Sequence, residues 1–371
     1  MEPTVAGHCT EPRMSSAEEV NQASTADAAC PQEAPKQTAE QTQEDHSTNH
    51  DGMAEDAEDP QIGQKRRFTI QEKRSYAREK KKTAKKSMLE ERLAEFQGTT
   101  SSEPCPLCGA TEAPFYHYGQ ATDRAFYACQ SCKLVFVNKF VSEEQERERY
   151  LQHNNDPGDI RYQAFLGRIV DPLVQLLNAT LLEETAGKPA SGASNADGSS
   201  TESSEERKIA APSSAQKNAC LGMDFGCGPG PAISRLMARH GYPVCDYDPN
   251  FFPDPVIPKL YKPLDEEDKD EAEKPPLERK FRFITCTEVL EHIKEPVPFL
   301  ADLYNRLTPG GVLAIMTGIL TEDSLFPGWH YHRDYTHIRF YRPETLKYIE
   351  SLHDWKLSRP HKDVAFFVRN K

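Results

Sequence analysis

The sequence predicts an α/β fold, a sheet with helices on both faces, carried by the C-terminal part of a 371-residue chain. Three observations predict it. A short apolar strand runs into the glycine turn DFGCGPG at 224–230 and then into a helix with apolar Ile233, Leu236 and Met237. A second strand, PVCDYDP at 243–249, follows at the distance of a β-α-β crossover. Upstream, two Cys-x-x-Cys pairs mark a small module that is separate from that sheet.

The chain begins with a segment that cannot pack. Residues 1–60 hold fourteen acids, two basic residues and almost no large apolar side chains, a charge of −12. Such a stretch buries too little apolar surface to offset its ordering entropy, so 1–64 is expected to be a disordered acidic tail. Segment 65–98 is the reverse, with eleven Lys or Arg against two Glu over 65–86. It is rich in helix formers but too poor in apolar residues for a buried face, which predicts a solvated helix or a coil. That segment reads either as a charged tether or as a nucleic-acid arm or nuclear-localisation signal. From Ser87 onward the charge is about −10, an acidic body unsuited to broad phosphate binding.

The cysteine module, 99–141, carries CPLCG at 105–109 and CQSC at 129–132. Each pair supplies two thiolates from one tight turn, and the intervening hairpin brings the turns together. Cys105, Cys108, Cys129 and Cys132 are therefore expected to hold a structural Zn²⁺, with no position open to water. About thirty residues cannot build a core alone, so the metal would hold the ribbon folded.

Segment 142–184 is expected to be helical and to pack on the sheet, because Ile160, Phe165, Leu166, Ile169, Val170, Leu173, Leu176 and Leu177 recur at helical spacing. A Gly, Ser, Ala and Glu mixture at 185–218 reads as a flexible insertion. The sheet domain spans 219–371, with a charged loop at 262–280. No apolar leader follows Met1, no apolar run looks long enough to span a bilayer, and the cysteines form no secreted disulfide framework. The expected setting is cytoplasmic, with the nucleus open to it through the basic segment, and no membrane partner.

The glycine turn opens on Asp224, and Pro229 and Pro231 stand where a dinucleotide-binding helix would begin. Glycines let the backbone turn and approach a ligand where a Cβ would collide. An acid at the tip of the second strand, Asp246 or Asp248, can accept bonds from both hydroxyls of a ribose. The third segment, FRFITCTEVLEHIKEPVPFLADLYNRLTPGGVLAIMTG at 281–318, reads as strand, loop, helix, Pro-Gly-Gly turn and strand.

Together these motifs resemble class I S-adenosylmethionine-dependent methyltransferases. DFGCGPG is similar to their first motif, and TEVLEHI and LTPGG resemble signatures of the small-molecule branch. The resemblance covers roughly 159–371, and a weaker one extends through the ribbon to bacterial methyltransferases with the same front module. It implies a Rossmann-like sheet of seven strands, closed by PETLKYIESLHDW as helix and WKLSRP and VAFFVRN as an antiparallel pair. It also implies that Asp224, Phe225, Gly226, Gly228, Gly230, Thr287 and Glu288 line the S-adenosyl-L-methionine pocket, and it selects Asp248 for the ribose. Glu291 and His292 would shape the loop, with His292 able to face an acceptor.

The stretch FPGWHYHRDYTHIRFY, 326–341, mixes rings and ionisable groups at a density that is costly to bury in a plain core. It resembles the WYxxDxTHIxFY motif of this methyltransferase subgroup, placed over the reacting methyl. Alternatively it is an aromatic cover with His and Asp in ordinary hydrogen bonds. The site reading makes His337 a base or orienter partnered by Asp334, with His332 as the substitute.

Three functions follow. The first is methyl transfer to a small-molecule O-, N- or C-nucleophile. The second is RNA methylation, with ribbon and basic segment gripping the backbone; the acidic body and the lack of an NPPY-type tetrapeptide weigh against it. The third is an inactive scaffold, which the intact Asp224, glycine turn and Asp248 disfavour.

Overall fold

The computed structural model describes residues 69–152, 155–186, 211–263 and 274–371. The acidic tail, the first basic residues, most of the 185–218 insertion and the middle of the 262–280 loop lie outside the described residues.

Helix α1 (Ile70–Phe96) opens on a capping box between Thr69 and Glu72 and buries no residue. It is the solvated helix that its composition predicts. Its C-terminal Phe96 stacks on Phe115 and Tyr118 of the ribbon. Strands β1 (Phe115–Gly119), β2 (Arg124–Ala128) and β3 (Val135–Phe136) form that ribbon. Helix α2 (Glu143–Leu151) and the long α3 (Ile160–Ala186) follow. After α4 (Ser214–Asn218), at the end of the expected insertion, come β4 (Gly222–Phe225), α5 (Ile233–Arg239) and β5 (Val244–Tyr247). The chain ends with β6 (Phe281–Thr287), α6 (Pro296–Arg306), β7 (Leu307–Met316), β8 (Arg339–Phe340), α7 (Pro343–Glu350), β9 (Trp355–His361) and β10 (Val364–Arg369).

The main sheet has the order β5-β4-β6-β7-β10-β9. Its first four strands are parallel, and β10 runs antiparallel to both neighbours. Side chains alternate between two cores, as the two-residue strand period requires. On β7, Val312, Ala314 and Met316 meet α3 and α5, whereas Leu313 and Ile315 meet α6 and α7. Helix α3 lays Leu166, Ile169, Val170, Leu173, Val174, Leu177 and Leu181 on the sheet. Contrary to the expectation, α3 is by length and composition apolar enough to cross a membrane; here that apolarity serves the stripe facing the sheet.

The sheet has six strands among the described residues, not the expected seven. Proline supplies the reason: Pro249, Pro253, Pro255, Pro258 and Pro263 follow β5, and a residue without an N–H cannot donate to a ladder. Asp248 and Phe252 instead exchange backbone bonds of 3.1 and 2.8 Å, closing a turn where an outer strand would start.

The ribbon is not a detached module. Its sheet continues β1-β2-β3-β8, so a strand from the 326–341 stretch completes it. Cys105, Leu107, Cys129 and Cys132 share one core with Leu346 and Ile349 of α7.

Candidate active site

The C-terminal ends of β4, β5 and β6 surround a cavity of about 280 Å³, where ligands bind in open α/β sheets. Its floor is the turn after β4. Gly226 and Gly228 have φ of +74° and +66°, and a Cβ on Gly226 would stand 2.4 Å from Val289 Cγ2. Any side chain there is strained and collides. Gly230 is held for another reason, since the Asn155 carbonyl oxygen would be 1.9 Å from its Cβ. Asn155, from the segment between α2 and α3, thus sits over the turn, and Glu146 and Tyr150 of α2 line the same cavity.

Two acids flank the turn. Asp224 is buried at the end of β4 and accepts from the Thr285 hydroxyl at 2.7 Å. Burial first, then the nearby Asp246 and Asp248, push its carboxyl up to about 7 against the pull of Thr285. Asp248 accepts from the backbone N–H of Gly228 (3.1 Å), Asn250 (2.8 Å) and Phe251 (3.2 Å). It pins the glycine turn to its own and also lines the cavity. Asp246 is elsewhere, accepting from Ser234 on α5 at 3.1 Å.

Phe225, Thr287 and Glu288 also line the cavity, and of the expected lining residues Gly230 alone does not, being covered by Asn155. The Thr287 hydroxyl is buried and has no hydrogen-bond partner, so the cavity wall presents an unsatisfied polar group. Glu288 takes φ +52°, a left-handed conformation for a non-glycine at the strand tip. Burial and then the charge of Glu291 hold its carboxyl well above the usual carboxylate range. The glycine cradle, the Thr287 hydroxyl and the paired acids form a donor and acceptor set suited to an adenosyl amino acid.

The opposite wall is His337 and His292. His337 is 1% exposed, and its Nδ1 lies 2.8 Å from the Tyr331 carbonyl oxygen. A carbonyl only accepts, so Nδ1 carries the hydrogen. Burial and then His292 hold the ring well below the usual histidine range, so it is neutral and Nε2 keeps its lone pair. That nitrogen lies 4.0 Å from Glu291 Oε1. Glu291, wholly buried, accepts from the hydroxyls of Tyr331 and Thr317. His292 likewise turns Nδ1 to a carbonyl, that of Thr336 at 3.0 Å, and meets Tyr150 edge-on. Glu291, His292 and His337 bring their ligand atoms within 4.8 Å of one another, a set able to hold a proton, a polar group or a divalent cation.

Asp334 and His332 stand apart from this wall. Asp334 accepts from Thr336 N–H and Oγ1 at 3.0 and 2.6 Å and pairs with Arg149 of α2 at 2.8 Å. Burial opposes its charge, but the hydrogen bonds from Thr336 and the charge of Arg149 favour the carboxylate, and it is held well below the usual carboxylate range. Among the hydrogen bonds of the described residues it makes none to the His337 ring, which instead has Glu291 beside it. His332 stacks on Phe326 at 4.7 Å and meets His117 and Phe126 edge-on, inside the ribbon's aromatic core. Neither ring nitrogen has a partner, and burial followed by His117 lowers it to about 4. Neither residue lines the cavity.

The cysteine cluster lies beyond this core. Cys105 and Cys132 Sγ are 3.5 Å apart, Cys108 and Cys129 3.4 Å, and all four lie within 4.8 Å of one another. Tetrahedral zinc with ~2.3 Å bonds sets sulfurs ~3.8 Å apart, so the donor set fits such an ion. Each turn closes with a backbone bond, Gly109 to Cys105 and Lys133 to Cys129, and ends in a left-handed residue.

Residues 202–356 match a family model described as a methyltransferase domain. The mitochondrial ubiquinone biosynthesis O-methyltransferase of Schizosaccharomyces pombe is 34% identical over 102 residues, covering 26% of this chain and 36% of that protein. The chain thus spans about a third of that relative's length. A putative methyltransferase structure from Bacillus halodurans aligns at 18% identity and TM-score 0.29, covering 38% of this chain and 64% of the other. Human N-acetylserotonin methyltransferase in complex with SAM aligns at 16% identity and TM-score 0.29, over 42% and 48%.

Proposed function

We infer that this chain, whose sheet domain belongs to the class I S-adenosylmethionine-dependent methyltransferases, transfers a methyl group to a small-molecule acceptor. The observation that carries the reading is that His337, its Nδ1 held by the Tyr331 carbonyl, lines the same cavity as the glycine turn. S-adenosylmethionine, when bound, supplies an electrophilic methyl group on a sulfonium.

The residues of the chain have separable tasks. Gly226 and Gly228 let the backbone come close, Asp248 accepts hydroxyl hydrogens, and Asp224, Thr287 and Glu288 offer polar contacts along the wall. On the acceptor side, His337 Nε2 takes the proton from an O–H or N–H nucleophile. The imidazolium so formed stands beside the Glu291 carboxylate, and the proton then leaves to solvent. In-line displacement disperses charge, so positioning supplies most of the acceleration, and the base matters only for nucleophiles that must lose a proton. Cys105, Cys108, Cys129 and Cys132 would hold a Zn²⁺ that is structural, since four thiolates leave no open position.

A polynucleotide acceptor is the second reading, favoured by α1. At ~100° per residue, Arg74, Arg78, Lys81 and Lys85 share one side of that exposed helix, and Glu72, Glu79 and Glu90 take the other. The full chain, given cofactor labelled with tritium in the methyl group and a cell extract, decides between them, with Asp224→Ala as the blank. Label in the small-molecule fraction is expected. Label in precipitable RNA would move the assignment to the second reading, and no label above the blank would leave an inactive scaffold.

A further inference from the structure

The cysteine ribbon and the acceptor loop meet at one buried guanidinium. Arg124, on β2, is 3% exposed. Its Nη1 donates to the carbonyls of Tyr335 (2.8 Å) and His337 (3.0 Å), and its Nη2 to those of His332 (3.2 Å) and Asp334 (2.8 Å). Four carbonyl oxygens of a six-residue loop therefore point at one group. Without it they would be left as buried acceptors with the Arg124 bonds lost, a costly arrangement. Only a planar fork of donors reaches them all at once, which a lysine ammonium cannot do.

Other contacts fix the same loop to the ribbon. β3 pairs with β8, Val137 N–H donates to the Ile338 carbonyl at 3.2 Å, and Arg339 donates to the Val137 carbonyl at 3.0 Å. From the other side Arg149 holds the Asp334 carboxylate. β2 runs directly into Cys129, so the four-cysteine cluster anchors the strand that carries Arg124.

We propose that Arg124 is a positioning residue through which the metal-bearing ribbon sets the acceptor loop, and with it the ring of His337. Among the described residues the glycine turn makes none of the Arg124 contacts, so through Arg124 the ribbon acts on the acceptor side of the reaction. This rests on the reading above that His337 faces the acceptor, but its loop geometry can be measured without an acceptor.

The test compares full-length wild type, Arg124→Met and Arg124→Lys by hydrogen exchange. Exchange at 281–287 reports on the fold, and exchange at 222–230 on the glycine turn. The ring-nitrogen NMR signals of His337 report its tautomer. In Arg124→Met, exchange over 332–338 is expected to rise about tenfold or more, with 222–230 and 281–287 unchanged and the single Nδ1–H tautomer lost. Arg124→Lys restores part of both signals. Chelating the metal from wild type gives the same local change. An unaltered loop and tautomer in Arg124→Met overturn the proposal, and so does a rise spread evenly over 222–230, 281–287 and 332–338. A protected loop after metal removal overturns the ribbon's share in it. S-adenosylhomocysteine affinity, measured in parallel, tests the methyltransferase reading separately: wild type that binds none sinks that reading while the loop result stands.

Discussion

At the scale of single residues, burial displaces the ordinary ionisation of one group in the cavity and one in the aromatic core beside it. His332 and Asp224 are displaced in ways that tug stability in opposite directions. His332 sits at about 4 in the folded chain against 6.5 in the open. The unfolded chain therefore takes the proton first, and the stability from the neutral ring is complete above about 6.5 and lost as pH falls towards 4. His332→Phe should flatten this acid limb by on the order of 2 kcal/mol, read from urea midpoints at pH 7 and pH 4.5; an unchanged limb would show the ring to be solvated. Asp224 lies at about 7 against 3.8, so its neutral form stabilises the fold below 3.8 and that contribution is lost as pH rises through 7. Asp224→Asn should raise the melting temperature of ligand-free protein at pH 8 but not at pH 3.5, while weakening cofactor binding. A melting temperature that falls at pH 8 would contradict the account. Local chemistry was legible here: Gly226 and Gly228 of the turn, Asp248 at the next strand tip, and Thr287 and Glu288 at the third each stand in a short recognisable pattern, and all line one cavity. The pairing of Asp334 with His337 was expected from the motif that 326–341 resembles, but Thr336 and Arg149 hold the carboxylate. Glu291 could have been weighed as the alternative, since an acid in TEVLEHI ahead of a wholly apolar helix face needs partners.

At the scale of elements, the strands and helices of the sheet domain announce themselves because apolar periodicity and turn chemistry agree. The lack of an outer strand among the described residues was legible too, in the five prolines of 249–263 that a family-based expectation outweighed. What composition could not give is the joining of elements far apart in sequence. β8 adds to the ribbon sheet from some two hundred residues downstream, and Arg124 reaches its carbonyls over separations of 208 to 213 residues. No local pattern encodes a buried arginine's partners. Helix α1 presents the converse case, legible in sequence but undecided in purpose. If its basic side grips phosphates, replacing Arg74, Arg78, Lys81 and Lys85 with Gln should lower affinity for a structured RNA and reduce the slope of log affinity on log salt by roughly three to four. An equal slope in wild type and variant, read by fluorescence anisotropy across a salt series, would leave α1 as a tether.

At the scale of the whole molecule, ribbon, loop and sheet form one arrangement, and on the reading proposed above the crossover strands make the cofactor side and residues braced by the ribbon make the acceptor side. That reading gives a purpose to a module that, among the described residues, shares no strand with the main sheet yet packs on α7 and takes β8 into its own sheet. The account depends on the cavity at the glycine turn accepting an adenosyl sulfonium. Titration calorimetry of the metal-loaded full chain with S-adenosylmethionine tests this most directly, with Gly226→Ala alongside. One molecule bound per chain is the expected result, with affinity at least about tenfold weaker in the variant, because a Cβ at positive φ displaces Val289 and the turn. Folded wild type that gives no binding heat at several temperatures, or a variant that binds equally well, would contradict it.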